Sequence, residues 1–363
     1  MNNMTILTIN VSQLVPGMIL AEDVYTARKE RILSRNTIIT QKSIMKLKLN
    51  AVTNIIVYIP KHLVDQTPHE EPAKANDLKN SMEFKRFKKN YMESVNLLKN
   101  SFQGILGYSS EKFDPMHLLY TASSLLKGCR SSLRTFDMLQ CMHESDDLVY
   151  VHSMNVTLIC ASFASWLNFS SIDMQQLMLA AMLHDIGKLQ IPKEIIHKPT
   201  ALTKEEFTLI QKHPSLGYEL VKTLNLDSRI ADAVLMHHER CDGSGYPSHH
   251  SLSSIPPFAK IIGIADVYDA MTSNRVYRNG ICPFDVIRNF EEEGFQKYDA
   301  AYLLPFLESL AQAHMNASVR LSNSLVGEIV MVNRMALSRP VVKVANQFFD
   351  LSKDKDLQII SVL

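Results

Sequence analysis

His184 and Asp185 stand side by side at the end of the apolar run LMLAAMLHDIGK. Burying an imidazole and a carboxylate together is costly unless they are paired or coordinated. Alone, such a pair is more often a satisfied polar contact than a metal site. Other positions change that balance. His152 falls within an upstream helical segment that reads as amphipathic, His213 closes a helix just before Pro214, and His237-His238 close another. Asp266 sits inside the apolar run KIIGIADVYDA, where a free carboxylate is hard to justify. Five histidines and two aspartates at helix ends or on apolar faces suit one polynuclear metal centre better than seven unrelated polar contacts.

The residue types indicate the chemistry. Neutral imidazoles with a few carboxylates hold borderline divalent metals such as iron, manganese or zinc in the open sites that hydrolysis requires. An aspartate can bridge two metals through its two oxygens, and two ions about 3.5–4 Å apart can hold a hydroxide and clamp phosphoryl oxygens. Lys188 lies one helical turn beyond His184, within reach of a phosphate bound there; it equally suits a solvated surface. Arg275 and Arg278 lie three apart in TSNRVYR, where guanidinium forks could take a phosphate or simply face water. In HHERCDGSGYP (237–247), Gly243 and Gly245 permit backbone angles closed to other residues and Pro247 fixes the exit. By itself this loop reads as a structural turn, with Tyr246 either packed beneath the helices or turned toward a substrate.

These residues need helices to hold them, and the chain supplies them. DDLVYVHSMNVTLICASFASWL, DMQQLMLAAMLHDIGK, TKEEFTLIQKHPSLGYELVKTL and SRIADAVLMHHE carry the strongest helical patterns. Thr203 with Glu206 makes a capping box, and Pro214 marks the first turn of a new helix. FAKIIGIADVYDAMTSNRVY reads as one further helix, broken before Asn279-Gly280. Ahead of this region, Phe84, Phe87, Tyr91, Val95, Leu98 and Phe102 recur at steps of three or four. That stripe either packs on its own domain or forms a dimer seam as a signalling helix.

The two ends of the chain read differently. ILTINVSQL, MILAEDVYT, RILSRNTIIT and TNIIVYIP suggest short strands, with KSIMKLKLN as one helix between the last two. The polar DQTPHEEPAKANDLKN reads as a linker. Beyond Asn316, SVRLSNSLVGEIVMVN, RPVVKVAN and LQIISVL return to strands. The boundaries are a small β-rich module at 1–65, a linker at 66–81, a linking helix at 82–109, a helical domain at 110–316 and a β-rich segment at 317–363.

With a formal net charge of +1, no global field favours nucleic acid or a membrane surface. No stretch approaches the roughly 20 apolar residues that span a bilayer, and the N-terminus lacks a signal-peptide pattern. Five cysteines without a CxxC pair argue against a disulfide framework and for a cytoplasmic protein.

HSMNV (152–156), HDIGK (184–188), KHP (212–214), HHERCDGSGYP and IADVYDAMTSNRVYR (264–278) resemble, in order and spacing, the successive motifs of the HD-GYP domain. That family is a subgroup of the HD metal-dependent phosphohydrolases, and the resemblance covers roughly 110–316. It implies a mainly α fold: a helical HD-type domain with a small N-terminal α+β module and a short C-terminal β-rich segment. It implies a di- or trinuclear centre, commonly iron or manganese, that hydrolyses cyclic di-GMP to pGpG, GMP or both. By motif position His152, His184, Asp185, His213, His237, His238 and Asp266 are the expected ligands, with Asp185 bridging. Asp185 and Lys188 are the expected catalytic pair. Lys188, Gly245, Tyr246, Pro247, Arg275 and Arg278 are the expected substrate contacts. Signalling proteins are possible partners of the flanking modules.

Two departures matter. Cys241 stands where many members carry an aromatic residue, which touches local packing. Leu148, one turn before His152, stands where trinuclear members place a glutamate, and leucine cannot coordinate. Two metals are therefore expected, with slower or incomplete conversion to GMP. Leu148 also keeps open a low-turnover cyclic di-GMP-binding adaptor, and another cyclic dinucleotide such as cyclic GMP-AMP remains an alternative substrate.

Overall fold

The computed structural model describes residues 4–11, 18–26, 31–50, 52, 54–60, 78, 80–110, 112–129, 132–142, 148–198, 200–273 and 280–363. Arg275 and Arg278 lie outside them. The chain divides into two compact units, Met1–Glu71 and Pro72–Leu363.

In the first unit, β1 (Met4–Asn10) pairs antiparallel with β5 (Asn54–Pro60), and β2 (Ile19–Leu20) lines the other side of β5. β3 (Val24–Tyr25) and β4 (Arg31–Leu33) form a separate two-stranded ribbon, and α1 spans Gln41–Leu49. Leu20, Ile32, Ile39, Leu47 and Val57 make its core.

The second unit opens with α2 (Met82–Ile105), whose N-cap Ser81 hydroxyl accepts from the Phe84 amide. Phe84, Phe87, Tyr91, Val95, Leu98 and Phe102 are all buried within this unit. α2 packs on α3 (Pro115–Gly128) and on the central α5 (Leu148–Trp166); α4 spans Ser132–Cys141. The stripe that could have formed a dimer seam is turned inward. Burying each of its large side chains is worth about 1.5–3 kcal/mol.

α5 differs from the amphipathic helix read from the sequence, because every residue from Ser153 to Ala164 is buried. Two of its hydroxyls are satisfied locally, Thr157 donating to the Ser153 carbonyl and Ser162 to that of Leu158. A helix covered on all sides forms the centre of a bundle. Around it run α6 (Ser171–Leu183), a 3-10 turn at Ile186–Gln190, α7 (Lys204–Ile210), α8 (His213–Lys222), α9 (Ser228–Met236) and α10 (Pro257–Thr272). α11 (Pro283–Asn289) and α12 (Ala300–Ala313) complete it.

α10 ends earlier than its sequence suggests. Ser273 leaves helical geometry at ψ 136, and its hydroxyl donates back to the Asp269 carboxylate at 2.9 Å. This bond to the last turn of the same helix holds Ser273 as its cap residue.

The C-terminal strands β6 (Ser318–Leu321), β7 (Val326–Met331), β8 (Val341–Val344), β9 (Gln347–Asp350) and β10 (Ile359–Val362) form an antiparallel sheet ordered β10-β6-β7-β8-β9. Val319, Leu321, Ile329, Val342 and Ile359 share one core with the helices. Glu291 ties the two together, accepting from the Leu337 amide and the Ser338 hydroxyl. The molecule is thus mainly α, with small β-containing parts at both ends.

Candidate metal centre

Three of the expected ligands are mounted in the same way. His184 follows α6, His213 follows α7 and His237 follows α9. Each Nδ1 lies against the carbonyl three residues back: Ala181 at 2.7 Å, Ile210 at 2.7 Å and Val234 at 2.8 Å. The last carbonyls of a helix have no partner within it, so an imidazole N–H satisfies one of them. A carbonyl only accepts, which places the proton on Nδ1 and leaves Nε2 as a lone pair aimed inward.

The inward atoms converge. His213 Nε2 lies 3.2 Å from Asp185 Oδ1 and 3.2 Å from His237 Nε2. His237 Nε2 is 3.9 Å from the same Asp185 oxygen. The other Asp185 oxygen lies 3.5 Å from His184 Nε2 and 3.6 Å from His152 Nε2. Two donor groups result, Asp185–His213–His237–His238 and His152–His184–Asp185, each with ligand atoms within 4.8 Å of one another. Asp185 belongs to both. Asp266 falls outside these groups but joins them from α10, with His152 Nε2 at 2.9 Å and His238 Nδ1 at 3.7 Å.

This donor set fits a cation. His213 and His237 both carry their proton on Nδ1, so their Nε2 atoms face each other at 3.2 Å as two acceptors unless an electrophile lies between them. His184 Nε2 and Asp185 Oδ1 are buried without a hydrogen bond; His213 is close to that oxygen but lacks the geometry. His184, His213 and His237 are wholly buried, and Asp185 is 1% exposed. Such groups are costly in a dry interior unless they coordinate.

The electrostatics agree. Burial holds His184, His237 and His238 below the ordinary histidine value, which keeps them neutral. Burial would raise Asp185, but Lys188 and the surrounding imidazoles hold it well below the usual carboxylate range. Asp266 is likewise lowered against burial, mainly by its bond to His152. His152 runs the other way: burial favours its neutral form, yet the bonds and charges of Asp266 and Asp269 raise it to about 10.

Asp269 was missed by sequence reasoning. Its Oδ2 lies 2.7 Å from His152 Nδ1, while Asn155 and Ser273 donate to its Oδ1 at 2.9 Å each. Tyr91 of α2 donates to the Asn155 side-chain oxygen at 2.6 Å, which extends the network to the first helix of the second unit. The available signal was its position three residues after Asp266, on the same face of α10.

The loop after α9 is clamped onto the ligands. Glu239 is buried and accepts from the amides of Ser248 at 2.7 Å and His250 at 2.9 Å. The Tyr246 amide donates to the His238 carbonyl, and its ring stacks on His238 at 4.6 Å. A Cβ on Gly245 would collide with the His238 carbonyl and the Arg240 amide, so only glycine allows this approach. Pro247 follows through a cis peptide bond. Lys188 donates to Asp185 Oδ2 at 2.5 Å and is partly exposed at the mouth. Cys241 is partly buried, its amide bonded to the Lys297 carbonyl. Leu148 is the first residue of α5.

Comparison with known proteins fits this geometry. Residues 137–302 match the family model of the HD domain. Cyclic di-GMP phosphodiesterase PA4108 of Pseudomonas aeruginosa is 33% identical over 201 residues, 55% of this chain and 48% of that protein. 3'3'-cGAMP-specific phosphodiesterase 1 of Vibrio cholerae is 34% identical over 157 residues, 43% of this chain and 36% of that protein. The chain thus spans about half or less of the length of these relatives. Among solved structures, Bd1817, a HDG"Y"P protein from Bdellovibrio bacteriovorus, shares the fold, with a TM-score of 0.50 at 16% identity over 84% of this chain and 99% of that one. Residues 137–302 thus match the HD domain, and the motifs along them, in their order, are similar to those of the HD-GYP group.

Proposed function

We propose that the chain is a metal-dependent phosphodiesterase that hydrolyses cyclic di-GMP to pGpG, GMP or both. The observation that carries this reading is the convergence of buried histidine Nε2 lone pairs on one shared carboxylate, Asp185. Two divalent ions, iron or manganese, would be held by His152, His184, Asp185, His213, His237, His238 and Asp266. Leu148 offers no ligand to a third. Bound there, the ions would supply an acidified water and neutralise charge on the phosphoryl oxygens.

The protein's own groups do the rest. Asp185 shares its two oxygens between the donor groups. Lys188, held beside Asp185 by its hydrogen bond, meets a phosphate oxygen or protonates the leaving oxygen. Arg275 and Arg278 contact the substrate phosphates, and Gly245-Tyr246-Pro247 forms the lip of the cleft. Residues 1–65 act as a regulatory module. No helix among the described residues is long and apolar enough to cross a membrane.

The cGAMP-specific relative at 34% identity supports a second reading, in which cyclic GMP-AMP is the substrate. Anaerobic purification with iron or manganese, followed by chromatography of products from both dinucleotides, separates the two. No hydrolysis of either at full metal occupancy would leave a low-turnover binding adaptor in place of an enzyme. Asp185→Ala should abolish turnover and lower bound metal; retained activity rules out the shared-carboxylate role.

A further inference from the structure

Phe207 presents a large aromatic side chain that is 47% exposed. α7, which carries it, begins with the Thr203–Glu206 capping box, and Lys198 bonds the Glu206 carboxylate at 2.6 Å. Two turn residues then lead from α7 to His213. Phe207 is therefore fixed in place close to a candidate ligand.

Its ring lies 6.5 Å from that of Tyr246 at an interplanar angle of 78°. Tyr246 in turn stacks on His238 at 4.6 Å and lies 6.3 Å from His213. One aromatic ring thus separates Phe207 from the candidate ligands. A nucleotide has a similar layout, with its flat base one ribose away from its phosphate. Base stacking on an exposed aromatic ring contributes about 1–3 kcal/mol and tolerates any base, because every base has a π face.

We infer that Phe207 is a stacking platform for a purine base of the nucleotide whose phosphate sits at the metal centre. The inference rests on the phosphodiesterase reading for the phosphate and assigns the base a place that the metal ligands do not supply. Phe207 is half open to solvent and outside the buried core, so replacing it leaves that core intact.

The test uses the full chain loaded with manganese and two probes, GMP and ribose 5-phosphate, titrated by calorimetry. The probes share sugar and phosphate and differ in the base. Phe207→Ala should weaken GMP binding roughly 5- to 150-fold, the equivalent of about 1–3 kcal/mol, and leave ribose 5-phosphate unchanged. Phe207→Trp should restore GMP affinity; Phe207→Leu, which keeps apolar contact with Tyr246 but has no ring, should not. Equal losses for both probes, no loss for GMP, or no GMP binding by the unaltered protein would overturn the platform. Hydrolysis of cyclic di-GMP by the same preparations is scored separately. Its absence counts against the phosphodiesterase reading, while a Phe207-dependent preference for GMP would still stand.

Discussion

Replacing Asp269 by asparagine tests whether the site depends on residues behind its ligands. All three partners of this carboxylate are donors: His152 Nδ1 at 2.7 Å, Asn155 Nδ2 at 2.9 Å and the Ser273 hydroxyl at 2.9 Å. Asparagine accepts at one oxygen only. If its amide NH2 faces Asn155 and Ser273, it meets two donors; if it faces His152, the ring loses the bond that aims Nε2 at Asp266 and Asp185. A hydrogen bond to a charged group is worth about 1.5–3 kcal/mol, and the loss of a partner behind a ligand typically costs about 10–100-fold in metal affinity. The two scales agree, so Asp269→Asn should bind manganese about 10–100-fold more weakly. Competition against a chromophoric chelator measures this, with circular dichroism to show that the helices persist. Unchanged affinity in a folded variant would mean that His152 needs no support, or that it is not a ligand.

Other outcomes follow from the same geometry. A Cβ on Gly187 would collide with the His213 carbonyl and the Gly217 amide, so Gly187→Ala should cost about 1–3 kcal/mol and weaken metal binding; thermal melts with and without metal report both. Glu239→Ala leaves the Ser248 and His250 amides without their acceptor, and should raise KM for a cyclic dinucleotide more than it lowers kcat. The pH dependence of the metal-free protein should be two-sided. His184, His237 and His238 are depressed by burial, so the unfolded chain binds more protons below about pH 6.5 and stability falls on acidification. His152 is raised to about 10, so its contribution is full below the ordinary histidine value and is lost as pH rises toward 10. Melting temperature against pH in chelator should show a maximum near neutrality, and His152→Gln should flatten the alkaline limb; a monotonic rise to pH 10 would refute this.

Much of this arrangement was legible in the sequence because the ligands interrupt apolar runs. A buried histidine at the end of LMLAAML or ADAVLM has no ordinary reason to be there. The Thr203–Glu206 box could be read because its two bonds are local, and both are present. Asp269 was harder, since its role depends on α10 lying against α5, a packing that spacing alone does not give. α5 looked amphipathic because Thr157 and Ser162 are polar by type, yet in a helix their hydroxyls can bond its own carbonyls and be buried. The inward turn of the α2 stripe was likewise undecidable, because a stripe of steps three and four suits a partner helix in either the same chain or another.

The three histidines bonded to the end of the helix before them bear on how loading proceeds. Each imidazole has its tautomer and direction set by a carbonyl three residues away, before distant parts of the chain contribute anything. Rotamer freedom is thus surrendered during folding rather than at the moment of capture, and less ordering entropy opposes the arriving ion. The same economy makes the device transferable: a helix that ends in histidine, facing another of its kind, is a minimal unit from which a designer could assemble a pocket of pre-aimed nitrogens on an unrelated bundle.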